Sequence, residues 1–191
     1  MLLSIRISGL SPTSKLRALL AHPSSMAERR WVPDAVASAK SAGIGGIFDM
    51  AVGGRTPSSV TKPVPVKGTV RSLHQGNFIE TGVRHGGHRY WDMGHCAVIE
   101  AEGSTRDDLN LLLLTSERSS PFSLHQLIVC GIYPERQKIL AVKGTVAPRA
   151  AYEPIAATIQ LVDTPGATSV NPERFVFQRA RPGIHGLNAE L

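Results

Sequence analysis

The chain has 191 residues, 42% of them hydrophobic and 19% charged, which is the make-up of an ordinary folded domain rather than of a disordered or membrane-embedded chain. Its 21 Lys and Arg outnumber its 15 Asp and Glu, but the basic residues are scattered and aromatics reach only 5%, which argues against a nucleic-acid-binding surface. Two cysteines are too few to staple a fold of this size, Arg6 interrupts the early apolar stretch, and the longest aliphatic run is Leu111 to Leu114; together these predict a cytoplasmic protein with no membrane contact.

Residues 1–13 show no periodic pattern. Ser14 is placed to cap a short helix whose Leu16, Leu19 and Leu20 share a face. A second helix is better marked: Pro33 suits its first turn, Asp34 its positive end, Lys40 its last turn and Gly43 its stop. Its small Ala35, Val36, Ala39 and Ala42 allow close packing on a sheet. Ile47 to Val52 reads as a strand ending at Gly53-Gly54. In VPVKGTVRSL, Val64, Val66 and Val70 alternate with Lys67, Thr69 and Arg71, the mark of a half-buried strand. His74 to Asn77 reads as a turn, with further strands at 78–80, 88–91 and 96–101, an antiparallel meander.

Past the polar break at Gly103 to Asp108 the pattern changes. LNLLLLTSE predicts a strand buried on both faces, and SPFSLHQLIVCG a helix with Ser120 as cap, Pro121 in its first turn and Gly131 as stop. KILAVK (138–143) is another strand, PRAAYEPIA a short helix limited by Pro154, and TIQLVD (158–163) a closing strand. The expected class is therefore α/β, a mixed sheet with an antiparallel meander in the first half and strand-helix alternation in the second. The tail from Thr164 to Leu191 is expected to wrap the surface.

RHGGHRYWDMGHC (84–96) gathers three histidines and a cysteine, residue types that zinc takes as ligands. A two-residue turn at Gly86-Gly87 would set His85 opposite His88, but His95 lies an odd seven residues beyond His88 and points to the other strand face, as Cys96 does relative to His95. The expectation is that these are solvated turn residues and a small core thiol, not a metal centre; a zinc hydrolase built on His85, His88 and His95 is the rival.

GGRTPSS (53–59), VPVKGTV (64–70), DMGHCAVIEAEG (92–103), LLLLTSERSSPFSLHQLIVCGIYPERQKILAVKG (111–144) and APRAAYEPIAATIQLVDTPGATS (147–169) together resemble the C-terminal domain of the MlrC family. These are bacterial zinc-dependent metallopeptidase-like proteins named for an enzyme that degrades linearised microcystin. The resemblance spans roughly residues 31–187 and implies a domain there, an N-terminal extension at 1–30 and a tail at 188–191. Full-length members carry a larger N-terminal domain that supplies the metal-binding aspartate and histidines; an Asp-Asn-Pro-Gly-Gly-Gly type signature expected upstream is replaced here by ISGLSPTSKLRALL. The resemblance thus implies a truncated or split product with no cofactor of its own, inactive alone, its substrate a peptide in the family. It would complete a substrate cleft, through self-association or a separate catalytic chain that meets an apolar face at residues 14–52.

Matching positions are the cleft candidates. Gly53, Gly54 and Arg55 fit the family's Gly-Gly-Lys/Arg motif, where free backbone N–H groups beside a cation suit an anion, although a tight strand exit is the preferred reading of the glycine pair; Thr115, Ser116 and Arg118 lie at a strand end, where such sheets face ligands. Lys143, Arg149 and Tyr152 fit a later motif, with a salt-bridged rim and a core tyrosine as the plainer reading. A serine nucleophile at Ser116 is disfavoured because no triad spacing with His125 can be read. The other rival is a non-catalytic module whose basic surface holds an anionic partner.

Overall fold

The computed structural model describes residues 2–7, 17–21, 32–53, 63–83, 87–144, 146–162 and 179. Its strands are β1 (Leu2–Ile7), β2 (Arg17–Ala21), β3 (Ile47–Val52), β4 (Val64–Ile79), β5 (Tyr90–Ala101), β6 (Asn110–Thr115), β7 (Ile139–Lys143) and β8 (Ala156–Val162). Its α-helices are α1 (Val32–Ala42), α2 (His125–Ile128) and α3 (Arg149–Tyr152). The strands form one sheet in the order β3-β4-β5-β6-β2-β7-β1-β8. β3 to β6 are an antiparallel meander, and β2 inserts parallel between β6 and β7. The expected mixed α/β class is the observed one.

Each sheet face has its own core. On one, Ala35, Val36 and Ala39 of α1 pack on Phe48, Val70, Ala97, Ile99, Leu112 and Leu114; small helix residues bring the helix close to the strands, as their spacing predicted. On the other, Met93, Cys96, Val98, Leu111, Leu113, Leu140 and Val142 meet Phe122, Leu127, Cys130, Ile132 and Tyr152 from the irregular connections. Strand β6 alternates between the two, so Leu111 through Thr115 are all buried, as expected for a strand covered on both faces.

Several expectations are corrected. Residues 17–21, expected within a helix from Ser14, form β2: Leu16 and Ser14 lie outside the described residues, but Arg17 to Ala21 pair with Asn110 to Leu114 on one side and Arg17 to Leu20 with Ile139 to Val142 on the other. A strand with neighbours on both sides places its backbone donors and acceptors in ladders, which overrides a weak local helical spacing. Residues 2–7 likewise lie inside the sheet, between β7 and β8; the stretch read as an extension carries two of the sheet's strands.

The turn expected at His74 to Asn77 does not exist. β4 runs straight through it, with register shifts against β5 between Val70 and Ser72 and between Gln75 and Asn77. Gly76 serves close approach instead: a Cβ there would sit 2.6 Å from the Met93 Cβ and 2.7 Å from the Cys96 Sγ. The helix expected from Ser120 shortens to His125–Ile128, because Gln126 Oε1 accepts the backbone N–H groups of Phe122 and Ser123 at 3.0 and 3.1 Å and so holds the preceding residues in a loop. β5 opens at Tyr90, leaving His88 in the loop before it. The tail from Thr164, Arg179 apart, lies outside the described residues, and no helix among those described is long and apolar enough to cross a membrane.

Candidate functional site

The three parallel strands β2, β6 and β7 run the same way, so their carboxyl ends share one edge of the sheet. Leu20 is paired with both Leu113 and Val142, which sets Lys143 level with Leu114, about 10 Å away across β2 at the usual strand spacing. Thr115, Ser116, Arg118 and Lys143 therefore gather at one edge, and the loop after β7 leads from there to Arg149 at the start of α3. This is the position where open α/β sheets meet ligands.

The β4–β5 hairpin rises beside that edge. Thr115 is opposite Cys96, so Tyr90 to His95 extend past the end of β6 by roughly 20 Å of strand. Ser116 ties the loop to this wall: its N–H donates to the His95 carbonyl at 2.8 Å, and its Oγ accepts the His95 N–H at 2.8 Å. Gly94 makes the approach possible, since it sits at φ 66° and a Cβ there would collide with Ser116 Oγ. Thr115 is buried and its hydroxyl donates to the Glu117 carbonyl at 3.0 Å, while Arg118 is exposed. Arg149 lies 3.6 Å from Glu153 one turn on, the rim pair the plainer reading expected. Tyr152 is fully buried in the core, where desolvation pushes its phenol up.

The Gly53 candidate is elsewhere. Val52 pairs with Val64 at the start of β4, whereas Thr115, through Cys96, lies level with His74 on the same strand. Ten residues of strand put Gly53 roughly 30 Å from Ser116, at the opposite end of the sheet. Gly53 is exposed at φ 71°, a tight strand exit, and Gly54 and Arg55 lie outside the described residues.

His88 and His95 do not converge. His88 packs edge-on against Trp91, ring centroids 5.6 Å apart, while His95 is exposed on β5 opposite Gln75, roughly 20 Å of extended chain away; His85 lies outside the described residues. Cys96 is buried at 1% exposure. Among the described residues no group of three or more His, Cys, Asp or Glu could hold a metal ion, so they do not fit a zinc site, which needs at least three protein donors around one point.

Two features escaped sequence reasoning. Gln126, fully buried, also donates through Nε2 to Ser119 Oγ at 2.8 Å and the Ser120 carbonyl at 3.0 Å, so one amide shapes the loop that carries Arg118. Its only signal was a polar residue inside an apolar run. Glu80, buried at the top of the hairpin, accepts the Gly82 N–H at 2.8 Å and lies 3.9 Å from His125 Nδ1. Ser123 Oγ is 3.5 Å from that same nitrogen; a relay needs acid and nucleophile on opposite ring nitrogens, so this is no triad.

A mixed sheet whose parallel strands end beside a projecting hairpin defines an α/β domain. Residues 11–179 match the family model described as MlrC C-terminus, and the chain belongs to that family. It is also similar to a solved structure described as "Putative metallopeptidase" from Mesorhizobium sp. BNC1, at 27% identity and a TM-score of 0.68, over 90% of this chain and 31% of that one. The chain thus spans about a third of that relative's length. No curated protein matches.

Proposed function

We propose that this domain is the substrate-facing, metal-free part of a metallopeptidase-type assembly, holding a peptide-like substrate against a metal centre built from other residues. The observation that carries this reading is the likeness of nearly the whole chain to about a third of a metallopeptidase-like structure. The carboxyl edge supplies the wall: Ser116 braces it, and Arg118 and Lys143 offer cations to a peptide's carboxylate or carbonyl groups. Zinc belongs to the remainder of the assembly. Ile44 and Ile47, exposed at 69% and 82% beside α1, offer apolar surface to that remainder.

The test is zinc reloading of the chelator-treated chain, followed by elemental analysis and assay on linear peptides. Neither retained zinc nor turnover is expected. One zinc per chain with peptide hydrolysis, both lost in His88→Ala/His95→Ala, would overturn the reading. Hydrogen exchange with a saturating peptide should show protection at 115–118 and 143–149; protection confined to the Gly53 end would refute the placement of the wall.

A further inference from the structure

The sheet ends laterally in β3 on one side and β8 on the other, and the two differ in what guards them. β3 carries an exposed Asp49, 3.4 Å from Lys67; a charge on an edge strand is a common device against pairing with another chain. β8 carries none. Among the described residues it has a strand neighbour on one side only, β1, where Thr158 to Val162 pair without a break with Arg6 to Leu2. A register shift between Arg6 and Ile7, with Pro154 upstream, limits that regular stretch at its start, and Asp163 follows it in the sequence. TIQLV (158–162) is therefore a length of uncharged, proline-free strand on the border of the sheet.

We infer that this stretch is a self-pairing edge, its partner a second copy of the chain added antiparallel across a two-fold axis at Gln160. In that register Gln160 faces the partner's Gln160, Ile159 faces the partner's Leu161, and Thr158 faces the partner's Val162. Successive residues alternate between faces, so Ile159 and Leu161 form one apolar row with their mates, while the two Gln160 amides meet on the other face. The apolar row gains by closing: Leu161 is 46% exposed, whereas Ile159, on the same face, already packs partly on the second core. Every second residue of β8 turns its N–H and C=O away from β1, so the pairing adds about four to six backbone hydrogen bonds.

The neighbouring registers are worse. An axis at Ile159 brings Ala157, at the register shift, opposite the partner's Leu161; an axis at Leu161 sets Ile159 opposite the partner's Asp163, an apolar side chain against a charge. Two-fold pairing at Gln160 uses the regular stretch alone and closes on itself, leaving neither copy's β8 as an edge. A contact one strand wide is small for a protein interface, so the dimer is reversible and depends on concentration. β7 and β1 stand between β8 and β2, so the pairing draws on neither Thr115, Ser116 nor Arg118 and goes beyond the function proposed above.

The experiment is sedimentation equilibrium of the purified full chain across a range of concentrations, with Gln160→Lys and Gln160→Glu beside it. Gln160 is exposed, and circular dichroism checks that each variant keeps the native fold. The wild type should pass from the mass of one chain to that of two and no further. Each variant alone sets like charges opposite one another and should weaken dimerisation roughly five-fold or more. An equimolar mixture of the two should recover it, because the opposed side chains then carry opposite charges. Amide exchange at 158–162 should slow as the wild type is concentrated, a result that stands whichever way a variant folds. A wild type that remains a single chain up to its solubility limit, or that grows into open aggregates, overturns the inference. Folded variants that dimerise as well as the wild type, or whose mixture recovers nothing, overturn it equally.

Discussion

The two faces of the sheet are covered in different ways. Among the described residues, one carries a single regular helix, α1, whose small residues lie flat on Phe48, Val70 and Ile99. The other is closed by loops and two four-residue helices that insert large side chains, Phe122, Leu127 and Tyr152, between the strands. A regular helix closes its face through repetition and can shift slightly. The irregular face depends on individual side chains and on Gln126, so each of its positions should be harder to replace.

The sharpest comparison is between neighbours on β6. Leu113, with no exposure, faces the irregular core, and Leu112, at 6%, faces α1. Leu113→Ala should cost about 4 kcal/mol and Leu112→Ala about 2.5 kcal/mol by urea unfolding, because the helix can settle into the smaller cavity. Equal costs would dissolve the distinction. Next comes Gln126→Ala, which strips the buried loop of the acceptor for two backbone N–H groups and should cost about 2–3 kcal/mol. Selective acceleration of hydrogen exchange in 119–124 is the accompanying sign.

A smaller effect of opposite sign is expected at Tyr152. Its buried hydroxyl makes no hydrogen bond among the described residues, so Tyr152→Phe should raise stability by about 1 kcal/mol. A loss of stability would mean the phenol is held after all. The smallest effect concerns pH. Burial holds the His74 imidazole below the ordinary histidine range, so the folded state binds fewer protons than the unfolded one. Its contribution is fully present above about 6.5, the ordinary histidine value, and is lost as pH falls from there toward the depressed folded value. Melting at pH 7.5 and at pH 5.5 should show this slope, and His74→Gln should flatten it.

What the sequence disclosed follows from the range of the forces involved. α1 and β3 were legible because caps and alternation act locally: Pro33, Asp34 and Gly43 delimit the helix almost to the residue. β2 was not, since LRALLA has helical spacing and only the distant β6 and β7 make it a strand. Gly76 read as a turn because glycine beside asparagine usually reverses a chain, whereas here its reason is the bulk of Met93 and Cys96 across the sheet. The candidate cleft divides in the same way. Ser116 was legible as a strand-end residue, but its nearness to Lys143 depends on β2 lying parallel between β6 and β7, and the separation of Gly53 depends on strand direction, neither of which local sequence encodes.

The insertion of β2 between β6 and β7 also sets an order of assembly. The meander can form as soon as its own neighbouring segments exist, because its pairings are short-range. β2 gains its second neighbour only once residues near 140 are available, and β1, between β7 and β8, gains its own only with residues near 160. Emerging from a ribosome, the earliest strands must wait for the latest, and until then their edges are open to wrong partners. A chain of this topology should therefore be more dependent on holding factors during synthesis than its modest length suggests.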